Sequence, residues 1–454
     1  MKIVLKQIPA PEFAFVESKP TVPAEEYERR LAALYRAAQA DWVAVYADRE
    51  HYANLVYLLN FDPRFEEALL MLGPRGKRVL VLGNEDMGYT SVLPFPVELV
   101  LCQTFSLGGQ PRATAANLKV ALAGLGLRPG QTVSVVGWKY LEPGEGDEPE
   151  APAFVPAFFA DVLRALVSPG GKVWDGTALL MHPESGLRLL NSADQIAAFE
   201  WAARNASAAV FAVLRSARPG MSEMQAMRHM GYAGLPMSMH PIFVSGKDEL
   251  NGLRSPGERV LEYGDAVSTA VGYWGSLVCR AGLLLGEPDW SFFESTVAPY
   301  YRALAAWYST ACIGATGDEI TQAVGRAFDG SHLRSMLNPG HLTSFDEWMH
   351  TPVRPGSKEK IASGMVFQSD IIPTPLPPGQ ALNCEDTVAF ADAALQAEIR
   401  SNHPGLWERA QKRRRFIQEA LGMPLPEETL PLSDGLLFLP PFWLDDDLVC
   451  TICE

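Results

Sequence analysis

The 454-residue sequence predicts an α+β protein with two main domains. An amino-terminal α/β domain comes first, then a domain in which helices and antiparallel strands are segregated. Three observations support this. Helical and strand periods alternate up to about residue 180, a long amphipathic helix opens near residue 193, and hairpin-like strand pairs with long helices fill the chain to about residue 425. With 48% hydrophobic residues, the chain has enough apolar material for more than one core.

In the first domain, set at residues 1–180, "VPAEEYERRLAALYRAAQA" carries apolar residues at helical spacing and "WVAVYA" is a short apolar strand. "KRVLVLG", "VELVLCQ" and "TVSVVGW" are further strands, separated by helical stretches such as "TAANLKVALAGLGL". Strands this continuously apolar belong to a sheet covered on both faces. The acid-, glycine- and proline-rich "EPGEGDEPEAPAF" reads as an exposed loop, followed by one more helix from Phe158 to Leu166.

The second domain is set at residues 186–425. Ser192 with Gln195 forms a capping-box signature, and Ile196, Phe199, Ala203, Ala206, Val210 and Leu214 make one apolar helix face that stops before Pro219 and Gly220. "LEYGDAVSTAVGYWGSLVCRAGLLLGEPDW" reads as a hairpin around a glycine-containing turn. From Ala266 to Gly286 it has no Asp, Glu or His. The tail, residues 426–454, is rich in Leu, Phe, Trp and Pro and is expected to pack on the second domain or on a partner subunit. This apolar tail favours a homodimer.

A formal charge of -15 argues against a nucleic-acid or anionic-membrane surface, because both require a cationic face. No run of about 18 uncharged apolar residues occurs, and charge and proline come too early in "MKIVLKQIPAPEFAFVESKP" for a secretory segment, so a soluble cytoplasmic protein is expected. The expected partner is a small molecule. Six cysteines are too few for a disulfide scaffold and read as buried small hydrophobes. Cys450 and Cys453 have zinc-knuckle or redox spacing without a second pair, which leaves an intersubunit zinc or a terminal disulfide open.

"HLTSFDEWMHTP" gathers His341, Asp346, Glu347 and His350 around Trp348, more ionisable capacity than a buried strand tolerates unless it lines a cavity. His341 and His350 are candidate proton carriers and Asp346 a candidate binding residue, while Glu347 alone reads as part of a solvated loop. His240, in "SMHPIFVSG", is a further candidate for the same pocket.

Six segments, "SADQIAAFEWAARNA", "RPGMSE", "PIFVSGKDELNGLRSPGERVLEYGD", "PGHLTSFDEWMHTP", "SGMVFQSDIIP" and "NCEDTVAFADAA", occur in one order. In that order and spacing the chain resembles the pita-bread family of aminopeptidase P, prolidase, methionine aminopeptidase and creatinase. "DREHYANLVYLLNFDPRFEEALLML" is similar to the amino-terminal domain of the aminopeptidase P, prolidase and creatinase branch. The resemblance implies a creatinase-like α/β domain followed by a pita-bread domain.

In metal-dependent members the resemblance implies two aspartates, one histidine and two glutamates around two divalent ions, which need several carboxylates to neutralise them. His341 matches the histidine and Glu385 the last glutamate, while Asp370 stands in place of the other glutamate. The two hairpin positions fall near Ala270 and Leu277, beside Ser268, Thr269 and Ser276, none of them an anionic ligand. Leu253 stands where the proton-handling histidine is expected.

No metal or other cofactor is therefore expected. By the creatinase resemblance, Arg64 is a candidate to hold a substrate carboxylate. The leading expectation is a metal-independent hydrolase of a carbon–nitrogen bond in a small amidino or amide compound, with His341 or His350 as proton carrier and Asp370 and Glu385 as binding acids. A peptidase with one metal at His341, Asp370 and Glu385 is the first alternative. A catalytically inactive binding homologue is the second.

Overall fold

The computed structural model describes every residue except 143, 146–153, 249, 251 and 454. Most of the acid-rich loop at 142–154 thus lies outside the described residues. The chain divides into two compact units, Val22–Leu189 and Met1–Thr21 with Leu190–Glu454.

In the first unit a six-stranded sheet runs in the order Glu98–Leu101, Lys77–Leu82, Ala68–Gly73, Trp42–Ala47, Thr132–Val136, Lys172–Asp175. Ala68–Gly73 is antiparallel to both neighbours, and the remaining pairs are parallel. All six residues of Trp42–Ala47 are buried, as a strand sandwiched between layers must be. Helices Leu118–Leu125 and Ala157–Val167 supply Leu122, Leu163 and their neighbours to the core on one side. Asn117 caps the first of these by accepting the Val120 N–H.

The second unit takes in the first 21 residues, which the sequence places with the amino-terminal domain. The reason is strand pairing: Lys2–Gln7 lies antiparallel to Leu448–Cys453 from Lys2↔Cys453 to Gln7↔Leu448. Beyond it, Phe13 stacks on Phe211 with ring centroids 4.0 Å apart, and Trp201 donates its indole N–H to the Val16 carbonyl. The tail is covered within the same chain. Leu436, Leu437, Phe438, Leu439, Phe442 and Trp443 are all buried, so no partner subunit is needed to hide them. Cys450 is buried and Cys453 half-buried in one extended strand, where residues three apart point to opposite faces, so both thiols are free.

The helix Ala193–Ser216 is capped by Ser192, which accepts the Gln195 N–H, and ends three residues before Pro219. It lies on a seven-stranded antiparallel sheet ordered His341–Leu342, Val366–Ser369, Asn383–Phe390, Ser276–Leu283, Ala266–Tyr273, Ile242–Gly246, with Thr429–Pro431 also on Asn383–Phe390. The central hairpin turns through Trp274 and Gly275 alone. Gly275 has φ +95, and a Cβ there would meet Phe199 Cδ1 at 1.9 Å. Gly275→Ala is expected to cost about 2 kcal/mol, seen as a lower urea midpoint at unchanged slope. Among the described residues no helix is long and apolar enough to cross a membrane.

Candidate functional site

The two-residue turn sets the hairpin register. Ala270 faces Cys279 across the hairpin, and Cys279 faces Glu385 on the next strand. Directly opposed residues of an antiparallel sheet share a face. Ile242, Ala270, Leu277 and Cys279 form a small buried apolar cluster with Met239 packed against it. The hairpin thus presents a wall without carboxylates beside Glu385.

On the other side of Glu385, His341 pairs with Gln368, and Asp370 follows directly on the strand Val366–Ser369. Gly340 makes this approach possible. Its φ is +123, and a Cβ would come within 2.9 Å of the Gln368 carbonyl. Ligand atoms of His341, Asp370 and Glu385 all lie within 4.8 Å of one another, and the three residues are 0%, 6% and 6% exposed. Asp370 Oδ1 and Glu385 Oε1 are buried without a hydrogen-bond partner, and the buried His341 Nε2 meets only carboxylates.

Backbone pairing of Leu342 with His350 folds the intervening loop back over His341. The loop brings Glu347 Oε1 to 3.2 Å from His341 Nε2, which lies 3.8 Å from Glu385 Oε1. Trp348 stacks on the imidazole with centroids 4.2 Å apart. Burial alone would depress the His341 pKa, but Glu347, Glu385 and Asp370 outweigh it and lift it well above the usual range. Burial pushes Asp370 up to about 6 against the pull of His341. Burial, and then the charge of Asp370, carries Glu385 well above ordinary carboxylates. Such a group holds and moves protons near neutral pH.

The other sequence candidates make contacts of their own. His350 joins through its backbone, its carbonyl accepting the Leu342 N–H at 2.7 Å. The Asp346 carbonyl accepts the Ser344 N–H and shapes the loop. His240 is exposed, and its Nε2 hydrogen-bonds the Leu253 carbonyl at 2.8 Å, while Leu253 itself is 74% exposed. In the amino-terminal unit, Arg64 pairs with Asp62 at 3.2 Å and bonds Tyr89 Oη at 2.6 Å. Sequence reasoning missed Glu347 and Cys279. The signal for Cys279 was available in the register of a two-residue turn, whereas nothing local marks the fold-back that recruits Glu347.

One imidazole and two carboxylates whose ligand atoms lie this close fit a single divalent ion. The facing hairpin positions offer no carboxylate, only Ala270, Leu277 and the Cys279 thiol, which burial and then Glu385 push well above its usual pKa.

No protein-family model matches the sequence, and no curated protein matches it. Solved structures do. A prolidase from Thermococcus sibiricus superposes with TM-score 0.63 at 15% identity, covering 82% of this chain and 95% of that one. Dipeptidase PepE from Mycobacterium ulcerans gives 0.59 at 18%, covering 82% and 94%. Aminopeptidase PepP from Pseudomonas aeruginosa gives 0.59 at 17%, covering 84% and 99%. The chain has the pita-bread fold of the Xaa-Pro dipeptidases, prolidases and aminopeptidase P, as the order of its segments implies.

Proposed function

We propose that the carboxy-terminal unit hydrolyses the carbon–nitrogen bond of a small amide or amidino compound, working from His341, Asp370 and Glu385 rather than from a pair of metal ions. One observation carries the reading: ligand atoms of three buried residues, His341, Asp370 and Glu385, converge within 4.8 Å beside a hairpin face that lacks carboxylates, with Asp370 Oδ1 and Glu385 Oε1 unsatisfied. Buried polar atoms are costly to leave unsatisfied, so a site that keeps two carboxylate oxygens so beside a buried imidazole is one a ligand completes.

His341 is the proton carrier, oriented by Trp348 and Glu347. Asp370, with its pKa near 6, delivers or withdraws a proton at near-neutral pH, and Glu385 is the neutral acid beside it.

The convergence of the donors also favours a second reading, in which His341, Asp370 and Glu385 hold one divalent ion. Such an ion would supply Lewis acidity and an activated water. Glu347, outside the donor set, would then remain to accept a proton from His341's side of the site.

Elemental analysis and titration with Mn²⁺ and Zn²⁺, combined with hydrolysis assays on amide and amidino compounds with and without chelator, test both readings. The expected outcome is at most one ion per chain, hydrolysis that survives chelation, and a loss of about 100-fold or more in His341→Ala. Chelator-sensitive hydrolysis with one ion bound would select the second reading. Two ions per chain with chelator-sensitive dipeptide cleavage would overturn both.

A further inference from the structure

His341 is fully buried, and its ring is covered by the stacked indole of Trp348. Trp348 keeps 38% of its own surface exposed and lines a groove of about 950 Å³ in the same unit. Groove and cluster are built on shared segments. The strand Arg334–Ser335 pairs with Pro373–Thr374, just beyond Asp370, and the loop that carries Trp348 starts at His341.

The groove has a definite chemistry. Val324, Phe328, Met336 and Leu337 give it apolar walls, with Met336 58% and Leu337 54% exposed. Apolar side chains so exposed and so close together mark a binding surface. Arg334 stands among them, and no ion pair engages it among the described residues. Asp329 lines the same groove and penalises a second negative charge on a ligand.

We propose that this groove is the substrate site of the His341 cluster, that its ligand is an N-acyl amino acid with one carboxylate, and that Trp348 is the positioning residue between groove and cluster. The acyl group lies on the apolar walls, the carboxylate pairs with the Arg334 guanidinium, and the amide is presented along the indole toward His341. The inference rests on the hydrolase reading only for the bond that is cut, since the binding chemistry stands apart from it.

Isothermal titration of the full-length protein with N-benzoylglycine and with N-benzoylglycinamide, which lacks the carboxylate, tests it. The acid is expected to bind about tenfold more tightly than the amide, and Arg334→Gln to erase that difference. Arg326→Gln, on the exposed side of the neighbouring helix, is expected to change nothing. Trp348→Ala is expected to weaken acid binding about tenfold and, in hydrolysis, to raise KM more than it lowers kcat, with Trp348→Phe restoring most of the loss.

Equal binding of acid and amide, an Arg334→Gln variant that still prefers the acid, or no binding of either would overturn the groove assignment. Binding that follows the expected pattern with no hydrolysis would leave the groove standing and sink the hydrolase reading. Amide hydrolysis indifferent to Arg334 would do the reverse.

Discussion

Arg280→Met is expected to lower the unfolding free energy by about 3–5 kcal/mol, the range for removing one partner of a buried ion pair. Arg280 is completely buried and Asp386 is 1% exposed, joined at 2.8 and 3.0 Å. The same guanidinium donates to the carbonyls of Phe438, Gly435 and Glu385. It thus ties the tail to the strand that presents Glu385. Methionine fills much of the volume but leaves Asp386 charged in an apolar interior, where its remaining partners are the Leu437 N–H and the Cys384 thiol. Urea unfolding measures the loss. Arg280→Met/Asp386→Leu should recover at least half of it, because the stranded charge is gone. A single-variant loss below about 1 kcal/mol would mean that water reaches Asp386 and that the pair is not sealed.

The second large effect is on pH. In the folded chain Asp370 titrates near 6 rather than at the 3.8 of a solvated aspartate. Between these values the folded state keeps a proton that the unfolded state has released, so this contribution is complete below about pH 4 and lost as pH rises toward 6. The gap between the two values is worth about 3 kcal/mol. Glu385 and His341, both raised, act with the same sign and extend the decline past neutrality. In the presence of chelator the protein should therefore be most stable in mild acid and weaken steadily toward about pH 8. Asp370→Asn should flatten the part between about pH 4 and 6 and leave the later decline. Urea midpoints taken across that range provide the check. A flat wild-type profile would show that the three groups do not share a dry site.

Much of the architecture was legible because it rests on period and order. Continuous apolar runs such as Trp42–Ala47 announce a doubly covered strand, and Ser192 announces the start of a helix. His341, Asp370 and Glu385 stood out because three separate segments keep their order, and the fold brings them together. Glu347 was not legible, since an acid in a polar loop gives no local sign of folding back on a histidine six residues away. Its recruitment follows from the Leu342–His350 pairing, a tertiary event. Cys279 was hidden by assigning the hairpin positions from neighbouring motifs rather than from strand register. The tail was legible only in part: apolar composition says that a segment must be covered, not whether by its own domain or a partner, and here Phe211, Tyr301 and the hairpin strand of the second unit cover it.

The antiparallel pairing of Lys2–Gln7 with Leu448–Cys453 imposes an order on assembly during synthesis. Gln7 and Asp445, bonded side chain to side chain, are 438 positions apart. At ribosomal elongation rates the first strand waits about 20 to 90 seconds for its mate, long after the compact unit Val22–Leu189 has emerged. Lys2–Gln7 spends that interval as an unpaired edge, and its pairing with so distant a strand is among the last native contacts to close.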